Sequence, residues 1–446
     1  MKRPGNKGLI TLILLTIAVC LTRLGKMPLM GTDEGMYGSA SFNMLASGDY
    51  TIPLLGGQPF YDKPPLCYWL QAQSMKVFGV NEFALRLPSA VCFCLLVWLV
   101  TWAGAKIFDR RRGIFAGFIT ATSVLVAALG RMCLTDGPLT LAISACLLWF
   151  ILAHAGKIGK ACYILSSAAL GCAVMIKGPA AAVLVFLTIG VYLALKREKP
   201  DRAYLLSLLL AAAAALPWFL LANARTGGDF GREFFLHQNV ARALGKDFAH
   251  NYPIWSYIPV LLVGMLPWSL YIPASFRDLR ALPAKLFLVL WAAVIFAVFT
   301  AIPSKLPGYI VPMIPACALL IGGSWRRTDK AFALPCLFAA ALIFGIIFFV
   351  LPRMSEKQWE PMKEVAAVVK SVNPGDLSVY GYKLSPPRPE LEFYTGYPLI
   401  EVRKDEDFSI KEDCIVIYQT TRKDELSSSL ADVGEVGDIV IAVRRK

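Results

Sequence analysis

Apolar runs of about twenty residues recur along most of this chain, and a polypeptide with that pattern has few folds open to it. As an α-helix, one such run crosses a hydrocarbon core of roughly 30 Å and satisfies its own backbone N–H and C=O groups. The runs fall near residues 8–24, 87–107, 113–130, 137–156, 161–176, 178–195, 203–222, 254–273, 284–301, 306–322 and 331–351. They predict an α-helical multi-spanning membrane protein with about eleven transmembrane helices. With 57% hydrophobic residues, 17% charged residues and a mean hydropathy of +0.57, a soluble globular protein is excluded. The basic start before the first run looks like a signal peptide, but no small-residue cleavage site follows, so a retained first span is expected.

The net charge of +14 does not point to nucleic acid, because the basic residues gather in short loops between the runs. Arg110 to Arg112, Lys157 with Lys160, Lys196 with Arg197, Lys199 and Arg202, Arg277 with Arg280 and Lys285, and Arg326 with Arg327 and Lys330 fall in alternate loops. All lie on the side of the N-terminus, which by the positive-inside rule is the cytoplasm. An odd number of spans then places the tail outside, together with loop 26–86, the 131–136 turn, Lys177, loop 223–253 and the Ser304–Tyr309 turn. Of the 11 cysteines most lie inside apolar runs, where they act as small fillers, and no zinc-type spacing occurs.

The expected organisation is a transmembrane domain over 1–352, with a long first external loop at 26–86, and a small external soluble α/β domain over 353–446. In that tail, 356–372 has helical spacing, and 377–382, 414–419 and 438–443 read as strands. The first loop is too rich in Tyr, Phe, Leu and Trp for disorder, and loops of its length are otherwise functional. It carries Asp33 and Glu34 in G-T-D-E-G, then Asp62 and Lys63 in Y-D-K-P-P-L-C-Y-W, where Pro64 and Pro65 stiffen the backbone.

These two motifs resemble membrane glycosyltransferases of the GT-C type that use polyprenyl-phosphate sugars. The nearest likeness is to bacterial aminoarabinose (lipid A) transferases, and a more distant one is to protein O-mannosyltransferases. S-K-L-P-G-Y-I-V-P (Ser304 to Pro312) and F-F-L-H-Q-N-V-A-R (Phe234 to Arg242) look like further blocks of that family, so the likeness covers roughly the first 320 residues. The resemblance implies an undecaprenyl-phosphate-linked sugar as donor, a lipid A or other envelope glycan or lipid as acceptor, membrane lipid as surroundings and an inverting transfer. It implies no required cofactor and leaves a divalent metal open.

Such a transfer needs a carboxylate to take the acceptor's proton and cations to hold the leaving phosphate. The resemblance puts Asp33 first for the base, with Glu34 beside it and Asp136, in L-T-D-G-P, as a second acid. Both first-loop acids also read as a solvated helix start, and Asp136 equally as a helix N-cap before Gly-Pro. Lys63, Lys177, Lys305, Tyr309 and Arg242 are the candidate phosphate ligands. Against this stands the bland reading of Lys and Tyr as interfacial anchors. Asp62, His237 and His250 are candidates for acceptor or metal. The rival class is a transporter or lipid flippase, which predicts ionisable residues in mid-span and discontinuous helices.

Overall fold

The computed structural model describes residues 6–241, 252–276, 283–326, 329–373, 375, 377–402, 413–426 and 430–444. Arg242 and His250 lie outside the described residues. Among those described, eight helices are long and apolar enough to cross a membrane: Glu82–Ile107, Asp136–His154, Lys160–Lys177, Pro179–Lys196, Arg202–Arg225, Ala284–Ala301, Pro307–Ser324 and Asp329–Glu356. A ninth is formed if Ile254–Gly264 and Trp268–Ser275, bent by 104° at a short break, count as one span. The break holds Pro267, which cannot donate a backbone hydrogen bond. Lys7–Leu21 is a shorter apolar helix.

The run expected over 113–130 is two helices, Arg110–Ala121 and Val124–Leu129. Its break has a local cause. Thr122 Oγ1 donates to the Phe118 carbonyl at 2.5 Å and Ser123 Oγ to that of Ile119 at 2.7 Å, so hydroxyls occupy acceptors of the last turn. Trp268 Nε1 in turn donates to Thr122 Oγ1 at 3.0 Å, which fixes the break in place.

The chain forms two compact units. The first comprises Met1–Thr22, Tyr61–Cys67 and Pro88–Ile346. Its helices approach closely through small residues, as membrane helices do. A Cβ on Gly322 would lie 2.7 Å from Ala116 N, so only glycine lets Pro307–Ser324 pack this tightly on Arg110–Ala121. Arg131 closes the C-terminal end of Asn6–Leu21. Its guanidinium donates to the carbonyls of Val19, Cys20 and Thr22, which meets otherwise orphaned acceptors with a cation at the negative end of the helix dipole.

The second unit comprises Arg23–Phe60, Tyr68–Leu87 and Ile347–Lys446. It contains helix Gly31–Ser47 and a two-stranded hairpin, β1 (Leu54–Leu55) and β2 (Gln58–Pro59). Five further strands follow: β3 (Ser378–Tyr382), β4 (Leu399–Val402), β5 (Cys414–Gln419), β6 (Ala431–Val436) and β7 (Ile439–Arg444). Their order is β4-β3-β5-β7-β6, parallel from β4 to β5 and antiparallel beyond. Met362, Val365 and Val369 of helix Glu360–Val372 pack with Ile415, Ile417, Ile439 and Ile441 in one apolar core. Helix Glu390–Thr395 lies on Gly31–Ser47. Ser39 Oγ donates to the Pro389 carbonyl at 2.8 Å and accepts from Phe393 N at 3.1 Å, and Asn43 Nδ2 donates to Glu392 Oε1 at 2.7 Å.

Within this unit Glu34 and Arg86 make a bidentate pair, Nε to Oε1 at 2.9 Å and Nη2 to Oε2 at 2.7 Å. Neither is exposed beyond 2%. Arg86 also donates to the carbonyls of Leu24, Met27 and Pro28, while Met30 N donates to Glu34 Oε2. One buried guanidinium therefore pins the chain turn that enters helix Gly31–Ser47.

Candidate active site

In the first unit three charged residues, Asp62, Lys63 and Lys177, line one cavity of about 120 Å³, and Asp136 is the ion-pair partner of Lys177. Pro64 and Pro65 stiffen the segment that delivers Lys63. Its Nζ lies 2.8 Å from Asp62 Oδ2 and donates to the Asp62 carbonyl at 3.1 Å. The side chains of the two residues are 9% and 12% exposed.

Lys177 ends helix Tyr163–Lys177, and Gly178, with φ +76°, turns the chain at once into Pro179–Lys196. That position needs a glycine, since positive φ is costly for other residues. The turn leaves the ammonium inside the protein, 2.8 Å from Asp136 Oδ1 and 4.5 Å from the Tyr309 ring centroid. Asp136 begins helix Asp136–His154. The N-cap position is Thr135, one residue earlier than the sequence allowed, and the Asp136 carboxylate pairs with Lys177. Gly308, in S-K-L-P-G-Y, fits against this carboxylate so closely that a Cβ there would lie 2.6 Å from Asp136 Oδ2.

The remaining walls are apolar or amide-bearing: Leu139, Ala181, Leu184, Phe234, Gln238, Asn239, Phe299 and Tyr309. Residues Arg232–Ala241 wind as a π-helix, a form that favours functional sites. In that winding Phe234, Gln238 and Asn239 share the cavity face, and Asn239 Nδ2 donates to the Phe234 carbonyl at 2.7 Å. Tyr61, next to Asp62, packs edge-on against Phe230; burial and the Asp229 carboxylate push its phenol up, so it stays protonated.

The other candidates from the sequence fall elsewhere. Lys305 is buried and donates at 2.7 Å to the carbonyl of Ile302, which itself lines the cavity. His237 faces Glu233 at 3.1 Å on the exposed side of the π-helix. Asp33 is exposed in the first turn of helix Gly31–Ser47, in the second unit, where a carboxylate suits the helix dipole. Glu34, in the same turn, is engaged by Arg86. Among the described residues no group of three or more His, Cys, Asp or Glu side chains is placed to hold a metal ion. Asp62 and Asp136 each face an ammonium.

Several known proteins share this arrangement of chain. ArnT from Cupriavidus metallidurans, solved bound to undecaprenyl phosphate, superposes with a TM-score of 0.83 over 98% of both chains at 21% identity. The fold is the GT-C fold. The oligosaccharyltransferase AglB from Archaeoglobus fulgidus has it too, with a TM-score of 0.61 over 94% of this chain and 69% of its own, at 12% identity. The model of the dolichyl-phosphate-mannose-protein mannosyltransferase family matches residues 62–220, a stretch that contains Asp62, Lys63, Asp136 and Lys177.

In sequence the GT-C chain described here is similar to undecaprenyl phosphate-alpha-4-amino-4-deoxy-L-arabinose arabinosyl transferases. It is 31% identical to that of Yersinia enterocolitica over 78% of this chain and 65% of the relative. Against transferase 2 of Proteus mirabilis it is 31% identical over 72% of this chain and 59% of the relative. The match thus spans about three fifths of the length of these curated relatives. With its long apolar helices, this GT-C chain is an integral membrane protein.

Sequence reasoning passed over Arg86, Phe234 and Gly308. Arg86 carried a readable signal: it stands among apolar residues at the start of an apolar run, and an arginine there demands a partner. Phe234 and Gly308 lie in the F-F-L-H-Q-N-V-A-R and S-K-L-P-G-Y blocks, but their individual parts were not readable there, since what they do depends on which segments meet.

Proposed function

We propose that this protein is a glycosyltransferase that moves a sugar from undecaprenyl phosphate to a lipid A or other envelope glycan or lipid acceptor. The sugar in the names of its relatives is 4-amino-4-deoxy-L-arabinose, and we assign it here on that likeness. The observation that carries the reading is the cavity in which Lys63 and Lys177 converge from segments far apart in sequence, walled by apolar side chains.

Two ammonium groups in a site shielded from water suit the phosphate of a polyprenyl donor. In the proposed step an acceptor hydroxyl attacks the anomeric carbon and its proton passes to a carboxylate. The bond from that carbon to the phosphate oxygen breaks, and the charge left on polyprenyl phosphate is met by Lys63 and Lys177. Tyr309 seats the Lys177 ammonium through its ring. Lys305 and Arg242 are proposed as further cations for the phosphate. The base is assigned to Asp33, on the family likeness of T-D-E, and Asp136 is the alternate. Glu34 is given a positioning part, through Arg86. Asp62 and His237 remain proposed contacts for the acceptor. The orientation that goes with this has the N-terminus cytoplasmic and the tail and first loop external, supported by the positive-inside pattern.

The match of residues 62–220 to the protein mannosyltransferase model favours a second reading, with a protein hydroxyl as acceptor. A flippase is less well supported, because Asp136 and Lys177 stand at the ends of their spans. The deciding experiment incubates purified full-length protein with undecaprenyl-phosphate-linked aminoarabinose and lipid A, followed by mass spectrometry. Aminoarabinose on lipid A is expected. Intact donor with unmodified lipid A, but sugar on added protein or glycan, would replace the acceptor; donor moved across vesicle bilayers with no sugar transferred would replace the reaction.

A further inference from the structure

The π-helical stretch presents three polar side chains in a row, and they are not alike. His237 faces Glu233 at 3.1 Å, and Asn239 Nδ2 is engaged by the Phe234 carbonyl at 2.7 Å. Gln238 lines the cavity, and its Oε1 is buried with no hydrogen-bond partner. No other residue lining that cavity has a buried side-chain oxygen or nitrogen in this condition, among the described residues. Leaving a buried acceptor unmade is costly, so such an atom in a cavity marks the place of a ligand's donor.

The two kinds of polar group here sort a lipid-linked sugar by chemistry. A sugar phosphodiester is a monoanion without an O–H, so its phosphate can accept from the lysines but has nothing to offer a carbonyl oxygen. The sugar ring carries O–H and, in an amino sugar, N–H groups, which donate. We propose that Gln238 is a specificity-determining residue: its Oε1 accepts a hydrogen bond from a hydroxyl or amino group of the donor's sugar in the cavity that Lys63 and Lys177 line. Gln238 thereby discriminates among lipid-linked sugars, and a sugar lacking the matching donor leaves the carbonyl unpaired. This rests on the glycosyltransferase reading above.

The test measures binding, not turnover, with full-length protein in nanodiscs and three probes: bare undecaprenyl phosphate, undecaprenyl-phosphate aminoarabinose and the arabinose analogue without the amine. Gln238→Leu is expected to weaken both sugar-loaded lipids about tenfold while the bare lipid changes by less than about twofold. Gln238→Glu keeps the shape of the side chain and adds charge, so it should raise the preference for the amino sugar over its neutral analogue about tenfold. Gln238→Leu binding every lipid like wild type overturns the inference. Equal weakening of bare and loaded lipid also overturns it, since the amide would then be a donor to phosphate. If Gln238→Leu does not fold, the Gln238→Glu ratio decides alone, and an unchanged ratio rejects the assignment. Wild-type protein that binds no polyprenyl phosphate sinks the functional reading, and this inference with it; wild type that binds it beside an indifferent Gln238 sinks the inference alone.

Discussion

Gly308→Ala offers a way to disturb the Asp136–Lys177 pair without touching a charge. The methyl group would sit 2.6 Å from Asp136 Oδ2 and 2.7 Å from its Cγ, where ordinary contact begins at 3.4 Å. Either the 307–313 turn or the carboxylate must move by most of an ångström. The turn is poorly free to do so, since Gly308, Tyr309, Ile310, Val311, Pro312 and Met313 are all buried. The carboxylate therefore yields, and the 2.8 Å contact to Lys177 Nζ goes with it. Overpacking of this kind costs about 1–3 kcal/mol in stability. A misplacement near 1 Å in a catalytic array can cost about 10²-fold in rate.

The assay is a double-mutant cycle on sugar transfer and on melting temperature, with Gly308→Ala, Asp136→Ala and the pair. If the clash is with Asp136, alanine at 308 should do little once the carboxylate is gone, and the coupling should amount to about 1 kcal/mol or more. Gly308→Ala with wild-type transfer and stability would show that the turn absorbs the methyl. Strictly additive losses would show that Gly308 acts through some other neighbour. Either result removes the argument.

Three further predictions follow from the second unit and the proposed roles. Glu34→Gln leaves Arg86 charged and buried, so it should lower stability by about 3–5 kcal/mol, read as a fall in melting temperature; an unchanged melt would show that the pair is not structural. Burial raises the Glu390 carboxyl to about 7, above its ordinary 4.5. The native state thus holds a proton that the unfolded chain has released, and stability is lost as pH rises from 4.5 to 7 and stays low beyond. Glu390→Gln should flatten that slope, and melts at pH 5 and pH 8 with equal differences between variant and wild type would contradict it. Asp33→Asn should slow transfer about 10²–10⁴-fold with little change in donor affinity, whereas Lys63→Ala should weaken polyprenyl phosphate binding as well. Normal turnover in Asp33→Asn passes the base to Asp136.

How much of this was legible in advance depended on whether the signal was local. The apolar runs announced the spans because length and hydropathy are properties of a single segment; the helical spacing over 356–372 was legible for the same reason, although the structure splits that stretch at Trp359 into Leu351–Gln358 and Glu360–Val372. Strands β3, β5 and β7 announced themselves by apolar and β-branched residues, while the edge strands β4 and β6 did not. In β6, A-D-V-G-E-V, most side chains face solvent and no burial pattern forms. The broken span at Thr122 and Ser123 was missed because the decisive acts are a hydroxyl turning back on its own helix and an indole arriving from residue 268. Lys63 and Asp62 could be paired on paper as neighbours. Asp136 and Lys177, forty-one positions apart, could be suspected separately but not joined.

That joining says something about how the site handles charge. A lysine ammonium in an apolar cavity is costly unless a carboxylate stands beside it, and each of these two has one within 2.8 Å. The acids hold Lys63 and Lys177 fixed in direction. An incoming phosphate must then compete with a carboxylate already in place, so its net gain is smaller than two free ammoniums would give. For the sugar transfer proposed above this is useful. Product polyprenyl phosphate carries more charge than the donor phosphodiester, and a site of two bare cations would hold it too well to release. Returning each lysine to its acid as the lipid leaves offsets that attraction. In this reading Asp62 and Asp136 limit how tightly the leaving group is kept, and the same contacts that make the empty site stable make turnover compatible with tight aim.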